Sequence, residues 1–592
     1  MERKRSLEQI NKWKNDVIAV LLLGIFAFFI NRGIEIKGLY MDDLYLWSCY
    51  GEQSFMEFNF PMGSTRFRFL YYLMAWLELA FVGNHVTWFV PINLVLNTLA
   101  AGFVYWFGTR LAKCRFTGFL AGILYLLSRM SYYQISQVYG LMETAATIMA
   151  LGILICLYLF LNEEGRDKQF YAACILYFAV CFVHERYLAL LPLIFLVLLL
   201  TGKRTEKPDW KKWLSPLDTF SLSEAIGYAL SQVAYIFGCN AGPEHLNGMS
   251  WADSPRWVKM LVILADLVLA LFVLAFVVQM IRNRKQAAGY LKNTALFLTF
   301  IALCIGASSV TVRVEMRWIY VSYTAALLFL CYISGVLRQP AGKWEKRENS
   351  NQRLFRRGVY AGGFLLYLAL MFPVECFCRQ QYPKLYFWPN QLRYNSLAEE
   401  TYEKYGDEIF GKTIYIVGNS YEMSDFTART FFKVFDKERK AEGTTVQFVD
   451  SILEIGQVTD QMLILTEDPA HNGFQDITET VRSLKCQRIE GYYSDGWMDE
   501  TARIRIMTGK EGVIHLKFMF PGILTGGETT EIYIDGNLAA QIPVTESVYY
   551  QDIKAEPYQI IELEFCHNFY MQDAKEQRGT NRLAVLMEIR AD

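Results

Sequence analysis

Residues 169–201 read QFYAACILYFAVCFVHERYLALLPLIFLVLLLT, and this stretch decides the class of fold. An apolar helix needs about 20 residues to cross a bilayer, so the stretch is long enough for roughly two short spans. At its centre stand three consecutive polar residues, His184-Glu185-Arg186. The stretch therefore predicts a membrane hairpin, with spans at 169–184 and 186–201 and the polar triplet at its tip.

The same apolar character fills most of the first two thirds of the chain. Of the 592 residues, 53% are hydrophobic, and the mean hydropathy is +0.17. These values predict a polytopic α-helical membrane protein with about eleven spans. The remaining expected spans lie near 16–34, 86–107, 117–128, 141–161, 219–238, 257–281, 290–309, 318–337 and 358–377.

The distribution of Lys and Arg sets the orientation. Basic residues concentrate in alternate loops, including 203–212 and 338–357, which predicts that these loops and the amino end are cytoplasmic. The apolar segment 67–82 would break this alternation as a span, so we expect an interfacial helix on the outer face. The weakly apolar segment 219–238 is needed to keep the alternation. The pattern is typical of a bacterial plasma-membrane protein.

The composition changes near residue 380 and predicts a water-soluble carboxy-terminal part outside the membrane. We divide the chain into a transmembrane domain at 1–378, a small α/β unit at 379–490 and a β-sandwich at 491–592. The last assignment rests on short alternating strands separated by Gly-rich turns. Within the first domain, the outer loop 35–85 carries an acidic pair and the interfacial helix.

Charge and cysteine content exclude several classes of function. The formal net charge of −1 gives no support to nucleic-acid binding, which needs clustered basic residues. The twelve cysteines are scattered, mostly in apolar blocks, and are read as small buried hydrophobes. The sequence carries no metal-binding array and no nucleotide-binding loop.

The acidic pair Asp42-Asp43 lies among aromatic residues a few positions after the first span. A carboxylate here could act as a general base on an acceptor hydroxyl, while its neighbour orients it or holds a cation. The alternative is that either residue caps a helix beginning at Leu44.

The triplet His184-Glu185-Arg186 combines an imidazole, a carboxylate and a guanidinium. Arg offers a fork of donors for phosphate oxygens, and His can donate a hydrogen bond or titrate. The alternative is a hairpin tip solvated by lipid headgroups. If a metal is bound, Asp43 or Glu185 is the candidate ligand.

Further ionisable residues gather at the same predicted face. Arg313 and Arg317 stand at the outer mouth of the tenth expected span and could hold a lipid phosphate, or anchor the helix to headgroups. Glu143 begins the fourth expected span, where it is either a supporting site residue or a helix cap. His245, a further supporting candidate, lies in an outer loop whose sequence is typical of turns.

Several short motifs match one family. Asp42-Asp43 falls in the first outer loop, Arg66-Phe67-Arg68 enters the interfacial helix, and His184-Glu185-Arg186 is followed by Pro192. Together with the span layout over roughly residues 16–337, they resemble the GT-C superfamily of membrane glycosyltransferases, such as protein O-mannosyltransferases and aminoarabinose transferases. His184 stands where that family more often has Lys.

The resemblance implies transfer of a sugar from a polyprenyl-phosphate donor to a cell-surface glycan, polymer or lipid. It also implies that an outer-loop Asp activates the acceptor, and that basic residues or a divalent cation, Mg or Mn, stabilise the departing phosphate.

Two other functions stay open. One is a transporter or flippase for lipid-linked sugars or polysaccharides. The other is a non-catalytic glycan-binding assembly protein, whose site would lie wholly in the outer domain. There, Tyr492, Tyr493 and Trp497 beside Asp495 could stack on sugar rings, or they could equally be core residues.

Overall fold

The structure is a computed structural model. It describes residues 2–34, 46, 49–50, 53–61, 66–83, 85–137, 140–163, 167–201, 222–239, 249–310, 316–339, 350–381, 387–421, 423, 443–455, 458–471, 473–484, 487–509, 511–522, 526–557, 559–571 and 582–591. Contacts divide these residues into a first unit, 2–34 with 49–393, and a second unit, 394–591 with Leu46.

The first unit is helical. Its helices are α1 (Glu2–Ile30), α2 (Phe55–Asn59), α3 (Phe69–Val82), α4 (Phe89–Ala112), α5 (Arg115–Leu127), α6 (Arg129–Ile135), α7 (Gly140–Asn162), α8 (Asp167–Cys181), α9 (Leu191–Leu200), α10 (Leu222–Ile236), α11 (Arg256–Arg282), α12 (Arg284–Ser309), α13 (Met316–Leu337) and α14 (Ser350–Gln381). Helix α15 (Phe387–Tyr405) follows and crosses the boundary between the two units.

Among the described residues, seven helices are long and apolar enough to cross a membrane. They are α1 from Trp13, α4, α7, α11, α12, α13 and α14 from Leu354. Four further expected spans coincide with the shorter helices α5, α8, α9 and α10. A helix-rich membrane part is therefore confirmed, whereas the number of spans stays a prediction.

The helices of the hairpin end where the polar triplet begins. Helix α8 stops at Cys181, a 3₁₀-helix runs over Glu185–Leu190, and α9 starts at Leu191. Pro192 fits the first turn of α9 because that position needs no backbone donor. The triplet thus lies between two helices, as the sequence predicts.

Polar contacts join one set of helix ends. The Arg379 guanidinium, near the end of α14, donates to the carbonyls of Ile30 (3.1 Å) and of Leu126 and Leu127 (3.2 Å each). These residues end α1 and α5, so three carboxyl ends lie at one level. An unpaired carbonyl there would be costly in an apolar setting, and Arg379 satisfies it.

A second set of contacts joins the opposite level. The pairs are Arg115 with Asp16 at 3.1 Å, Arg110 with Glu163, and Arg338 with Thr117 at 2.7 Å. They link the start of α5 to α1 and to the end of α13, and the end of α4 to the end of α7. Helices α1, α5 and α14 thus end at the first level, and α4, α7 and α13 end at the opposite level.

The second unit begins with a small sheet of four strands. They are β1 (Thr413–Val417), β2 (Thr445–Val449), β3 (Met462–Asp468) and β4 (Gly473–Asp476), in the order β2-β1-β3-β4. β1 is parallel to both neighbours, and β4 is antiparallel to β3. Helix α16 (Thr478–Leu484) follows β4, and Ile477 and Val481 pack against Ile464.

Eight further strands complete the second unit. They are β5 (Gln487–Tyr492), β6 (Trp497–Met507), β7 (Val513–Met519), β8 (Thr529–Ile534), β9 (Asn537–Pro543), β10 (Val548–Lys554), β11 (Ile560–His567) and β12 (Leu583–Ala591). They pair in the order β10-β7-β12-β6-β11-β8-β9, with β5 also on β6. Alternate residues form one apolar core, among them Ile504, Leu516 and Phe565. A β-rich carboxy-terminal part is confirmed, and the two-layer sandwich stays a prediction.

Candidate functional site

Three segments of the first unit bring ionisable side chains together. Arg68 directly precedes α3, Glu143 lies in the first turn of α7, and His184 precedes the 3₁₀-helix at the hairpin tip. The main-chain N–H of Tyr71 donates to the Phe182 carbonyl at 3.3 Å. This bond ties the start of α3 to the tip, so residues far apart in sequence share one site.

Arg68 and Glu185 form a two-pronged ion pair. Nε and Nη2 of Arg68 donate to the two carboxylate oxygens of Glu185, at 2.5 Å each. This parallel geometry is the strongest form of the Arg–carboxylate contact. Burial alone would raise the pKa of Glu185, but the hydrogen bond and charge of Arg68 outweigh it, and the pKa is lowered. Glu185 is therefore ionised at neutral pH.

Arg186 and Glu143 form a second pair, deeper than the first. Nη2 of Arg186 donates to Glu143 and, at 3.1 Å, to the Tyr187 hydroxyl. The guanidinium also lies 5.0 Å from the centre of the Tyr187 ring. The side chains of Arg186 and Glu143 are only 9% and 1% exposed. Two buried charges at this depth are tolerated because each neutralises the other.

His184 lies between the two pairs. Its ring nitrogens are 3.7 Å from Glu185 and 4.0 Å from Glu143, yet each carboxylate is already engaged by an arginine. Burial lowers the pKa of His184 strongly, and the charges of Arg186 and Arg68 lower it further. The imidazole is therefore neutral. Because Nδ1 accepts the main-chain N–H of Arg186 at 3.3 Å, Nε2 carries the hydrogen and is the donor.

We call Arg68, Glu143, His184, Glu185 and Arg186 the tip cluster. Its two arginines and two glutamates balance in charge. Arg66 and Arg317 lie near enough to the cluster to contribute to the lowered pKa of His184.

A narrow recess opens beside Arg186. It has a cavity volume of about 10 Å³ and is lined by Arg186, Tyr187, Cys304, Ser308 and Trp318, among others. Nη1 of Arg186 is buried and has no hydrogen-bond partner among the described residues. The recess has room for about one water molecule, so a single ligand oxygen fits it, whereas a whole phosphate group requires side chains of its wall to move.

The structure tests some of the sequence-predicted site residues. Glu143, His184, Glu185 and Arg186 come together in the tip cluster, and Arg317, in the first turn of α13, lies near enough to act on it electrostatically. Asp42, Asp43, Arg313 and His245 lie outside the described residues, and their roles stay predictions.

Glu185 does not fit a metal ligand in this arrangement. Both of its oxygens accept hydrogen bonds from Arg68, so a cation would have to displace a guanidinium. Across the described part of the chain, no group of three or more His, Cys, Asp or Glu side chains is placed to hold a metal ion. Asp43, the other candidate, falls outside that part.

The sequence did not predict the ion pairs that two arginines form. Arg68 was seen only in the motif that enters the interfacial helix, although it is the partner of Glu185. Arg129 forms a buried ion pair with Glu375, at 3.0 Å between Nη2 and Oε1. The sequence did contain a signal for this pair: Glu375 lies inside a predicted span, where a charge is costly and needs a partner.

The structure decides between the two interpretations of these aromatic residues for Tyr492. This side chain, the last of β5, is 9% exposed and packs in the core of the eight-stranded sheet. Tyr493 follows β5 and is half-buried, and its hydroxyl donates to Asp499 at 2.8 Å. Tyr492 is therefore a core residue, whereas a glycan-binding role of Tyr493 and Trp497 stays a prediction.

No protein-family model matches this chain, and no curated protein is similar to it at a significant level. The functional conclusion rests on the chemistry of the tip cluster.

Proposed function

We propose that this protein is a membrane glycosyltransferase that moves a sugar from a polyprenyl-phosphate donor to a cell-surface acceptor. The acceptor is a glycan, a polymer or a lipid. The donor's phosphate lies at the tip cluster, and its hydrocarbon chain lies in the bilayer.

The observation that carries the proposal is the state of Arg186. Its guanidinium is buried and held in place by Glu143 and Tyr187, and its Nη1 has no hydrogen-bond partner among the described residues, beside a recess with room for about one ligand oxygen. A buried donor without a partner is costly, so a ligand oxygen at this position would be stabilised. A phosphate is favoured because its oxygens accept strong, charge-assisted hydrogen bonds from a guanidinium.

The tip cluster supplies stabilisation of the leaving group. As the bond between sugar and phosphate breaks, negative charge grows on the phosphate oxygens. Fixed donors in a water-poor site stabilise such charge by several kcal/mol. Arg186 would bind the phosphate directly, and the neutral His184 would donate from Nε2. Arg68 and Glu185 act as positioning residues, because they hold the tip against α3.

The acceptor needs a base, and Asp42 or Asp43 is proposed for this role. Either carboxylate would take the proton of the acceptor hydroxyl as it attacks the sugar. We assign no step to a divalent cation, because Glu185 is already engaged by Arg68.

The proposed topology has eleven spans, with the amino end cytoplasmic and the second unit on the outer side of a bacterial plasma membrane. The opposed directions of α1, α5 and α14 on the one hand and of α4, α7 and α13 on the other support it. The basic residues Arg110, Arg115 and Arg338 lie at the level opposite the tip, which agrees with the positive-inside rule.

The test is transfer of labelled sugar from a set of polyprenyl-phosphate sugars by the purified protein in bilayer discs. The variants are Asp42→Asn, Asp43→Asn and Arg186→Gln, with Arg110→Gln as a control at the opposite level. The proposal requires turnover in wild type and Arg110→Gln. It also requires a loss of about 10²-fold or more in Arg186→Gln and in one Asp variant.

Two results would overturn the proposal. No transfer from any donor, with intact binding of a lipid-linked sugar, would favour a transporter or flippase. If transfer continues in Arg186→Gln and in both Asp variants, neither the tip cluster nor the acidic pair takes part in the reaction. Folding of each variant is checked by size-exclusion chromatography.

A further inference from the structure

The small sheet of the second unit has a ligand-binding geometry of its own. β1 lies in the middle, with β2 on one side and β3 on the other. The chain therefore changes direction across the sheet between β1 and β3. In parallel α/β sheets, ligands bind beyond the carboxyl ends of strands at such a change. Here those ends are Val417 and Asp468. Asp468 lines a recess and Val417 does not, so the recess itself, and not the strand order, indicates the site.

A recess lies at the carboxyl end of β3. Its volume is about 370 Å³, and the wall includes Thr466, Glu467 and Asp468 of β3, Gln475 of β4 and the apolar Ile477 and Met507. This volume is in the range of about 300–1,000 Å³ that holds small-molecule ligands. Polar and apolar groups thus face one space within a single unit.

Thr466 is the strongest sign of a ligand. It is 4% exposed, and its hydroxyl has no hydrogen-bond partner among the described residues. Along a strand, alternate side chains share a face, so Thr466 lies on the same face as Ile464, which packs against Ile477 and Met507. Its side chain is therefore directed to the wall of the recess. Gln475 is its partner across the antiparallel pair and shares that face.

The acidic residues of the wall set the charge of the ligand. Glu467 is 5% exposed and accepts main-chain N–H groups from Ser420 (2.7 Å) and Tyr421 (3.1 Å). The donors beyond β1 that might have held an anion are thus already occupied by this carboxylate. Asp468 accepts a hydrogen bond from Nδ1 of His471 at 2.8 Å, and that contact lowers the pKa of Asp468. A recess with two carboxylates in its wall disfavours an anionic ligand.

We propose that this recess binds a neutral, hydroxyl-rich ligand, namely one or two sugar units of a glycan. Sugar hydroxyls both donate and accept, so they match the Thr466 hydroxyl, the Gln475 amide and the Asp468 carboxylate. The C–H faces of a sugar ring pack on apolar groups such as Ile477 and Met507. The inference goes beyond the transfer reaction and does not depend on it, because binding here is measured without turnover.

The test measures the binding of neutral trisaccharides to the full chain in bilayer discs by saturation-transfer NMR. The probes are maltotriose, cellotriose and chitotriose, each at up to about 10 mM, since glycan sites of few contacts bind in the millimolar range. Thr466→Val removes the hydroxyl while keeping the shape. We expect it to weaken binding of the best probe about 3- to 10-fold. Gln475→Leu should weaken it as well.

Thr445→Val is the matched control, because Thr445 is an exposed threonine of the same sheet, on β2. It should bind as wild type does. Thermal unfolding should show that Thr466→Val is as stable as wild type or slightly more so, since a buried hydroxyl without a partner is lost. Absence of binding by all three probes, or equal binding by wild type and Thr466→Val, overturns the proposal.

Discussion

The buried pair Arg186–Glu143 gives the sharpest prediction about the first unit. The change is Glu143→Gln, which keeps the size of the side chain and removes its charge. Arg186 would then be a buried guanidinium, 9% exposed, whose nearest described carboxylate is gone. Because a charge without compensation is poorly tolerated in an apolar surrounding, the folded state should be destabilised.

The size of the effect follows from the depth of the pair. Removing one partner of a buried ion pair typically costs about 3–5 kcal/mol. For Glu143→Gln we expect a loss of stability in the lower half of that range, since the Tyr187 hydroxyl and ring remain beside the guanidinium. The matched control is Glu163→Gln. Glu163 pairs with Arg110 at the opposite level, where the side chains are 27% and 43% exposed. An exposed pair contributes about 0–1 kcal/mol.

The assay is reversible unfolding of the purified protein in mixed micelles as the fraction of denaturing detergent is raised. The free energy of unfolding is compared for wild type, Glu143→Gln, Glu163→Gln, Arg186→Gln and the double variant Glu143→Gln with Arg186→Gln. The double variant should be less destabilised than the sum of its single changes, by about 1–3 kcal/mol. The charge pairing at the tip is wrong if Glu143→Gln lowers the free energy of unfolding no more than Glu163→Gln does. It is also wrong if the effects of Glu143→Gln and Arg186→Gln are additive in the double variant.

Three further predictions concern pH and packing. The lowered pKa of His184 means that the unfolded chain binds a proton near pH 6.5 and the folded chain does not, so stability falls as pH drops below 6.5. Between pH 6.5 and 5.0 this loss is about 2 kcal/mol, and His184→Gln should show a correspondingly smaller pH dependence in the same detergent titration. His567 should behave alike in the second unit, because burial lowers its pKa to about 4 and stability is lost as pH falls from 6.5 towards 4. Substituting His567 with Gln should flatten the pH dependence of thermal unfolding, and an unchanged slope would contradict the burial of its ring. Gly335→Ala should destabilise the protein by about 1–3 kcal/mol, because the new Cβ would lie 1.9 Å from the Leu111 carbonyl oxygen. Gly306→Ala is the control, since no heavy atom lies within 4 Å of its Cβ position, and equal stability of the two variants would refute the close helix contact.

Hydropathy and strand alternation were sufficient to predict the two kinds of structure in this chain. Apolar blocks of spanning length predicted helices, and the hairpin at 169–201 was placed with its polar triplet between two helices. Alternating residues in the last hundred positions predicted strands such as β6 and β11. Both signals are local, because they depend only on how side chains repeat along a helix or strand.

The sequence alone did not predict which charged side chains pair with each other. Glu185 was a candidate for metal or support, and only the fold shows that Arg68, 117 positions away, holds both of its oxygens. The same fold makes His184 neutral, although two carboxylates lie within 4.0 Å. Tyr492 and Tyr493 could not be told apart by type, and the packing of β5 on β6 buried the first.

The sequence by itself predicted that most charged residues would lie near the ends of the membrane helices, because charges inside hydrocarbon are costly wherever the chain places them. Tertiary structure alone decided which of those charges pair, and which nitrogen of Arg186 has no hydrogen-bond partner among the described residues. Ion pairs depend on distance and burial, and both are set by how α3, α7 and the hairpin tip pack against one another.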